Sequence, residues 1–172
     1  IAPSLVGSEM CIRDSSYIQQ KYDEQLRDKP WGTTDAICSL IGHINNPFLI
    51  VNSDDIYGEK AFKDGYELMQ KSNTNIIGGL NLEKSLPEDN TLANRGVIEI
   101  DENNFVTSIE EIFNISRNKN INLFDKIANV NFIGLTPETL YYLDKELILF
   151  KEKNKNNRKI ESIISDFLNI LI

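Results

Sequence analysis

The chain has 172 residues, of which 41% are hydrophobic and 9% aromatic, and its formal net charge is −8. This length suits about one domain, and the composition supports an ordinary hydrophobic core. The acidic balance argues against nonspecific nucleic-acid binding, and no apolar run approaches the length of a membrane span. We therefore expect neither nucleic acid nor a membrane as a partner.

The first residues stand apart from the rest of the chain. Residues Leu5 to Ser15 read LVGSEMCIRDS, which resembles one reading frame of the transposase adapter used to prepare sequencing libraries. Such segments are excluded from fold reasoning. We therefore expect residues 1–15 to be an artefact and residues 16–172 to be a partial domain. The domain is expected to be truncated at both ends, because the helical pattern Ile160–Ile172 has no capping glycine.

Cysteine usage indicates the compartment. Cys11 lies in the adapter-like segment, which leaves Cys38 as the single remaining cysteine. A lone thiol on the apolar side of a helix argues against a disulfide framework and fits a reducing environment. The expected location is the cytoplasm, with Cys38 as a buried structural residue.

The most informative local pattern is a glycine-opened helix followed by an aspartate-ended strand. Gly32 precedes an amphipathic segment with apolar residues at Ala36, Ile37, Leu40, Ile41 and Ile44. The apolar run Pro47–Val51 is typical of a buried strand, and Asp54 and Asp55 follow its carboxyl end. Ligands bind at such strand ends in open α/β sheets, and the pair of features indicates a nucleotide and a divalent cation.

The later segments continue the alternation of helices and strands. The patterns predict a helix over Tyr57–Ser72, a strand over Asn75–Leu80, a hairpin around Asp101–Asn104, a strand over Ala128–Leu135 and a helix over Glu138–Lys153. Thr136 and Pro137 form a helix start at the last of these. This alternation is typical of a layered α/β domain.

Five motifs in order resemble one known family. They are PWGTTDA (30–36), PFLIVNSDDIYG (47–58), RGVIEID (95–101), NFIGLTPE (131–138) and KIESIISDF (159–167). The chain resembles the nucleotidyltransferases that activate sugar phosphates, and more narrowly a bacterial branch of them. The resemblance implies a Rossmann-like, layered α/β domain with a mixed, mainly parallel sheet.

The resemblance also implies a reaction. A nucleoside triphosphate and a sugar 1-phosphate would give a nucleotide sugar and pyrophosphate, with Mg²⁺ as the cofactor. The base and the acceptor stay open, and a choline-phosphate-type acceptor is included. The family's glycine-rich triphosphate loop is not found in this sequence, and Ile112 stands where the family has a basic residue. The family's second metal-binding aspartate usually lies beyond Ile172. We therefore expect catalysis from the parent protein and not from this chain.

Site residues follow from the same resemblance. Asp54 falls on the metal-binding aspartate, with Asp55 as a supporting or turn-capping neighbour. The residues expected to contact the nucleotide are Gln20, Gly32 and Thr33. Those expected at the substrate are Gly96, Glu111, Asn131 and Glu161, with Glu110 as the alternative to Glu111. No catalytic side chain is assigned.

Two other functions stay open. A metal-dependent glycosyltransferase also places carboxylates after a strand, although usually one residue apart rather than adjacent as in Asp54 and Asp55. A non-catalytic nucleotide- or sugar-binding module is the second alternative, and the loss of the basic residue at Ile112 keeps it open.

Overall fold

A computed structural model describes residues 15–119, 121–123 and 125–172 of the chain. The expectation for residues 1–14 therefore lies outside the described part. The helices are α1 (Thr33–Cys38), α2 (Glu59–Ser72), α3 (Leu82–Ser85), α4 (Pro137–Lys153) and α5 (Ile164–Leu168), with a 3₁₀ turn at Ile121–Leu123. The strands are β1 (Phe48–Ile50), β2 (Ile76–Asn81), β3 (Ala93–Ile100), β4 (Val106–Ile115) and β5 (Ile127–Leu135).

The strand directions differ from the prediction. All of the described strand pairs, β1–β5, β2–β5, β3–β5 and β3–β4, are antiparallel, so the expectation of a mainly parallel sheet is wrong. Strands β1 and β2 do run parallel to each other, with α2 between them in the chain. They do not pair, because β5 lies between them and runs in the opposite direction.

The sheet has helices on both faces, so the layered α/β architecture is confirmed. Alternate residues of β5 point to opposite faces. Ile133 and Leu135 belong to a core shared with α1, α4 and α5. On the other face, a Cβ on Gly65 of α2 would lie 2.8 Å from the ring of Phe132, so helix and strand approach closely there.

Helix α1 is shorter than its apolar pattern predicts. The α-helix ends at Cys38, and the chain continues in tighter turns, with the amide of Ile41 donating to the carbonyl of Cys38 at 3.1 Å. Gly42, with φ of +84°, ends the segment. Residues Ile37, Leu40 and Ile41 still pack into the core, so the predicted apolar face is correct although the α-helix is shorter than predicted.

Helix α4 is confirmed almost to the residue. Thr136 Oγ1 accepts a hydrogen bond from the amide of Thr139 at 3.3 Å, and Pro137 occupies the first turn. Leu140, Leu143 and Leu147 form its buried stripe. In the part of the chain that is described, neither α4 nor another helix has the length and apolar character needed to cross a bilayer.

Candidate functional site

A cavity of about 850 Å³ lies beside the middle of β5. Four residues predicted from the sequence line it, although they come from four different segments: Asp54, Gly96, Glu111 and Asn131. The loop after β1 supplies Asp54, while strands β3, β4 and β5 supply the others. The fold therefore brings together one predicted metal residue and three predicted substrate residues.

The chain path of β5 explains why the cavity opens here. On one edge of β5, Ala128 pairs with β3 and Ile133 pairs with β1. On this edge, no described strand pairs with residues 129–132. On the other edge, the register with β2 shifts at the same level, between Ile77 and Gly79. Asn131 has φ of +55°, a left-handed conformation that asparagine tolerates. A bulge of this kind re-aims side chains towards a site.

The loop after β1 carries two carboxylates with different surroundings. Asp55 Oδ2 accepts a hydrogen bond from Asn52 Nδ2 at 2.8 Å and lies 3.3 Å from the hydroxyl of Tyr57. Asp54 is exposed, and no hydrogen bond or ion pair joins it to another described residue. Asp55 therefore orders the loop, while Asp54 is available to a ligand.

These carboxylates fit Mg²⁺ only together with a phosphate-bearing ligand. Among the residues that the structure describes, no three Asp, Glu, His or Cys side chains are grouped so as to hold a metal ion. Mg²⁺ is commonly bound by one or two carboxylates plus substrate phosphates and water, rather than by an all-protein cage. The uncommitted Asp54 at the cavity is suited to that mode of binding.

Gly96 and Glu111 are cross-strand partners on β3 and β4. A Cβ on Gly96 would lie 3.4 Å from Glu111 Oε2 and 3.3 Å from the Cβ of Asn129, so a side chain here would crowd the carboxylate. Burial raises the pKa of the Glu111 carboxyl, Asp166 raises it further, and Arg95 opposes the shift. Glu111 lines the cavity and Glu110 is exposed, so the geometry favours Glu111 of the two alternatives.

Asn129 is a cavity residue that the sequence reasoning missed. It is buried, its Oδ1 accepts from the amide of Asn131 at 2.8 Å, and it lines the cavity with Gly96. The signal was present in the sequence, since Asn129 and Asn131 are two amides in an otherwise apolar strand. Buried amides need hydrogen-bond partners, and a ligand hydroxyl is one such partner.

The other predicted site residues, Gln20, Gly32, Thr33 and Glu161, do not line this cavity. Gln20 Nε2 donates to the carbonyl of Gly32 at 3.1 Å, and Thr33 Oγ1 accepts from the amide of Ile164 at 2.9 Å. Glu161 forms an ion pair with Lys29 at 2.8 Å. The polar groups of this set thus bind the chain itself, and their roles towards a nucleotide or acceptor stay predictions.

Cys38 has the surroundings of a structural thiol. It is a free, buried cysteine, and desolvation, with Asp144 and Asp35 nearby, raises the pKa of its thiol to about 12. The thiol is therefore protonated at neutral pH.

Comparison with known proteins supports the fold. No family model and no curated protein matches the chain. Among solved structures, UDP-glucose pyrophosphorylase complexed with UDP-glucose matches with a TM-score of 0.55 and 18% identity, covering 99% of this chain and 61% of that one. The apo form of UDP-glucose pyrophosphorylase gives a TM-score of 0.60 and 19% identity, covering 98% of this chain and 56% of that one. The chain thus spans roughly three fifths of the length of these structures and shares the fold of UDP-glucose pyrophosphorylase.

Proposed function

We propose that this chain belongs to a nucleotidyltransferase that joins a nucleoside triphosphate to a sugar 1-phosphate. The observation that carries the proposal is the convergence of Asp54, Gly96, Glu111 and Asn131 on one cavity. The fold shared with UDP-glucose pyrophosphorylase supports it. We also propose that the protein works in the cytoplasm. The free, buried thiol of Cys38 supports this location, because thiols stay reduced there.

In this proposal the sugar lies between β3, β4 and β5. A carboxylate and amides are suited to the hydroxyl groups of a sugar, because they accept and donate hydrogen bonds in fixed directions. Glu111 is the acceptor, Asn129 and Asn131 are the amides, and Gly96 leaves room for the sugar ring against the backbone of β3. The half-buried position of Glu111 strengthens its hydrogen bonds, since water competes less there.

The phosphates lie at the Asp54 end of the cavity. The sugar-phosphate oxygen attacks the α-phosphorus of the triphosphate, a new P–O bond forms, and the bond to the β-phosphate oxygen breaks to release pyrophosphate. Mg²⁺, when bound, supplies charge neutralisation for these phosphate oxygens. The part of this chain is to hold the ion through Asp54 and to orient the sugar phosphate.

The first experiment measures binding of UDP-glucose by calorimetry with and without Mg²⁺. Asp54→Asn should weaken the Mg²⁺-dependent binding by at least roughly 10- to 100-fold, because it removes the uncommitted carboxylate. Asp55→Asn is the matched control, since it changes the adjacent carboxylate that binds Asn52 instead. Equal losses in the two variants would contradict the assignment of Asp54 as the metal residue.

The second experiment tests the reaction and the origin of the chain. The complete reading frame is recovered from the source DNA, and its product is assayed for pyrophosphate release from a nucleoside triphosphate and a sugar 1-phosphate. Pyrophosphate release without transfer to an acceptor glycan supports the nucleotidyltransferase. Glycan transfer would indicate a glycosyltransferase, and binding without turnover would indicate a binding module. A frame that lacks Leu5–Ser15 would support the adapter origin of residues 1–15.

A further inference from the structure

Tyr57 joins the acidic loop after β1 to the bulge in β5. Its hydroxyl donates to the carbonyl of Val130 at 2.9 Å and accepts from the amide of Asn52 at 3.2 Å. The same hydroxyl lies 3.3 Å from Asp55 Oδ2. One oxygen atom thus contacts both ends of the loop and the strand that faces it.

The ring and the hydroxyl of Tyr57 contact different parts of the fold. The ring packs against Phe132 and Phe62, with centroid distances of 5.5 and 6.2 Å. These ring contacts do not involve the acidic loop. Burial raises the pKa of the hydroxyl, and the nearby Asp55 carboxylate raises it too, so the hydroxyl keeps its proton at neutral pH. The hydroxyl, and not the ring, therefore fixes the loop.

The contact point on β5 is next to the two cavity amides. Val130 stands between Asn129 and Asn131, and all three line the cavity with Asp54. A hydrogen bond from Tyr57 to this carbonyl sets the position of the acidic loop relative to the bulge. It thereby sets the distance between the carboxylate end of the cavity and its amide end.

We propose that Tyr57 is a positioning residue that holds the Asn52–Asp55 loop against β5, so that Asp54 and the amides of β5 reach one ligand together. This inference rests on the proposed function, because it assigns the two ends of the cavity to the phosphates and the sugar of the same molecule. It adds a residue that acts through Asp55, Asn52 and Val130 and that need not touch the ligand.

The test compares Tyr57→Phe with the wild-type chain. The substitution keeps the ring packing and removes the hydroxyl. Tyr66→Phe is the matched control, because Tyr66 lies on α2 with 62% of its surface exposed. Hydrogen exchange reports the loop directly: exchange at the amides of residues 52–56 should accelerate roughly 3- to 10-fold in Tyr57→Phe, as expected for loss of a neutral hydrogen bond. The control should exchange like the wild type.

The second readout is the binding of Mn²⁺ in the presence of UDP-glucose, followed by electron paramagnetic resonance. Tyr57→Phe should weaken Mn²⁺ binding by roughly 3- to 10-fold while Tyr66→Phe leaves it unchanged. A merely structural role would not change metal affinity at equal folding.

The outcomes separate this inference from the proposed function. Unchanged loop exchange in Tyr57→Phe overturns the inference whatever the activity is. Faster exchange with unchanged Mn²⁺ affinity also overturns it and leaves the proposed function standing. If the wild type binds no Mn²⁺ with UDP-glucose, the proposed function fails together with the role assigned to Tyr57.

Discussion

Glu111 is a carboxyl group whose charge is disfavoured by its surroundings. Desolvation is the largest cause of its raised pKa, followed by repulsion from Asp166. In the proposed function this carboxylate accepts hydrogen bonds from the sugar, whereas its burial is a cost to the folded state. The proposed binding role therefore comes with a loss of folding stability, and this loss can be measured.

Glu111→Gln should therefore change the pH dependence of stability. Well below the ordinary pKa of 4.5 the carboxyl is uncharged in the folded and unfolded chains, so the substitution leaves stability nearly unchanged. As the pH rises, the unfolded chain releases this proton more readily than the folded one, and the wild type loses stability through the raised pKa. Glu111→Gln has no carboxyl group at this position, so its stability does not fall in this way. Denaturant unfolding at about pH 4 and about pH 7 should show a difference that grows in favour of the variant.

The control for this prediction is Glu110→Gln, which changes the neighbouring exposed carboxylate on β4. Because Glu110 is exposed, replacing it relieves no desolvation comparable to that of Glu111. A Glu111→Gln variant that is less stable than the wild type at neutral pH would contradict the argument from desolvation.

At the scale of elements, Gly32 sets how α1 meets the segment before α5. Its φ is +105°, and a Cβ there would lie 2.8 and 2.9 Å from the backbone oxygen and nitrogen of Ser162. The amide of Thr34 donates to the carbonyl of Ser162 at 3.1 Å, so the two backbones pair where the side chain would be. The role of this glycine towards a nucleotide stays a prediction; in the fold Gly32 also lets a neighbouring segment of the chain approach closely.

Gly32→Ala should destabilise the fold by about 2 kcal/mol or more, because it adds backbone strain to a clash with main-chain atoms. Gly58→Ala is the matched control, since Gly58 has φ of +78° and its added Cβ would meet nothing within 4 Å. Strain alone predicts a loss of about 1 kcal/mol there. Urea unfolding of both variants measures the two losses, and equal values would contradict the packing role of Gly32.

At the scale of the whole molecule, β1 is a short strand with one partner. It pairs with β5 alone among the described strands, so its other edge faces no described strand. Phe48, Leu49 and Ile50 are half-buried, and Val51 is 38% exposed. Apolar open edges of this kind template pairing with other chains.

We expect the chain to self-associate through this edge. Light scattering over a range of concentrations should show dimers or larger species, and Leu49→Lys should shift them towards the monomer, because a lysine on an edge strand opposes pairing. Leu149→Lys is the control, since it removes an equally apolar residue from the exposed face of α4. A monodisperse wild-type monomer would contradict the open-edge interpretation.

The local elements could be predicted because their signals lie within a few residues. Thr136 and Pro137 start α4 where the sequence places them, and Asp101 Oδ1 accepts from the amides of Asn103 and Phe105 at 2.9 and 2.8 Å to close the hairpin turn. Helix α5 shows the limit of this approach. The pattern at Ile160–Ile172 is helical in period, but the helix is Ile164–Leu168 only, because Ser162 pairs with Trp31 and Thr34 instead.

By itself, the sequence determined the acidic character, the alternation of helices and strands and the carboxylates after β1. These properties depend on composition, on period and on residue type at a given position, all of which are local. The tertiary structure decided that the strand pairs are antiparallel. Strand β5, which follows β1 by about 80 residues in the chain, lies between β1 and β2 and runs opposite to both. The tertiary structure also decided that Asp54, Gly96, Glu111 and Asn131 line one cavity, whereas Gln20, Gly32, Thr33 and Glu161 do not line it. Contacts between distant segments cost loop entropy and are set by the packing of the whole core, which no local pattern records.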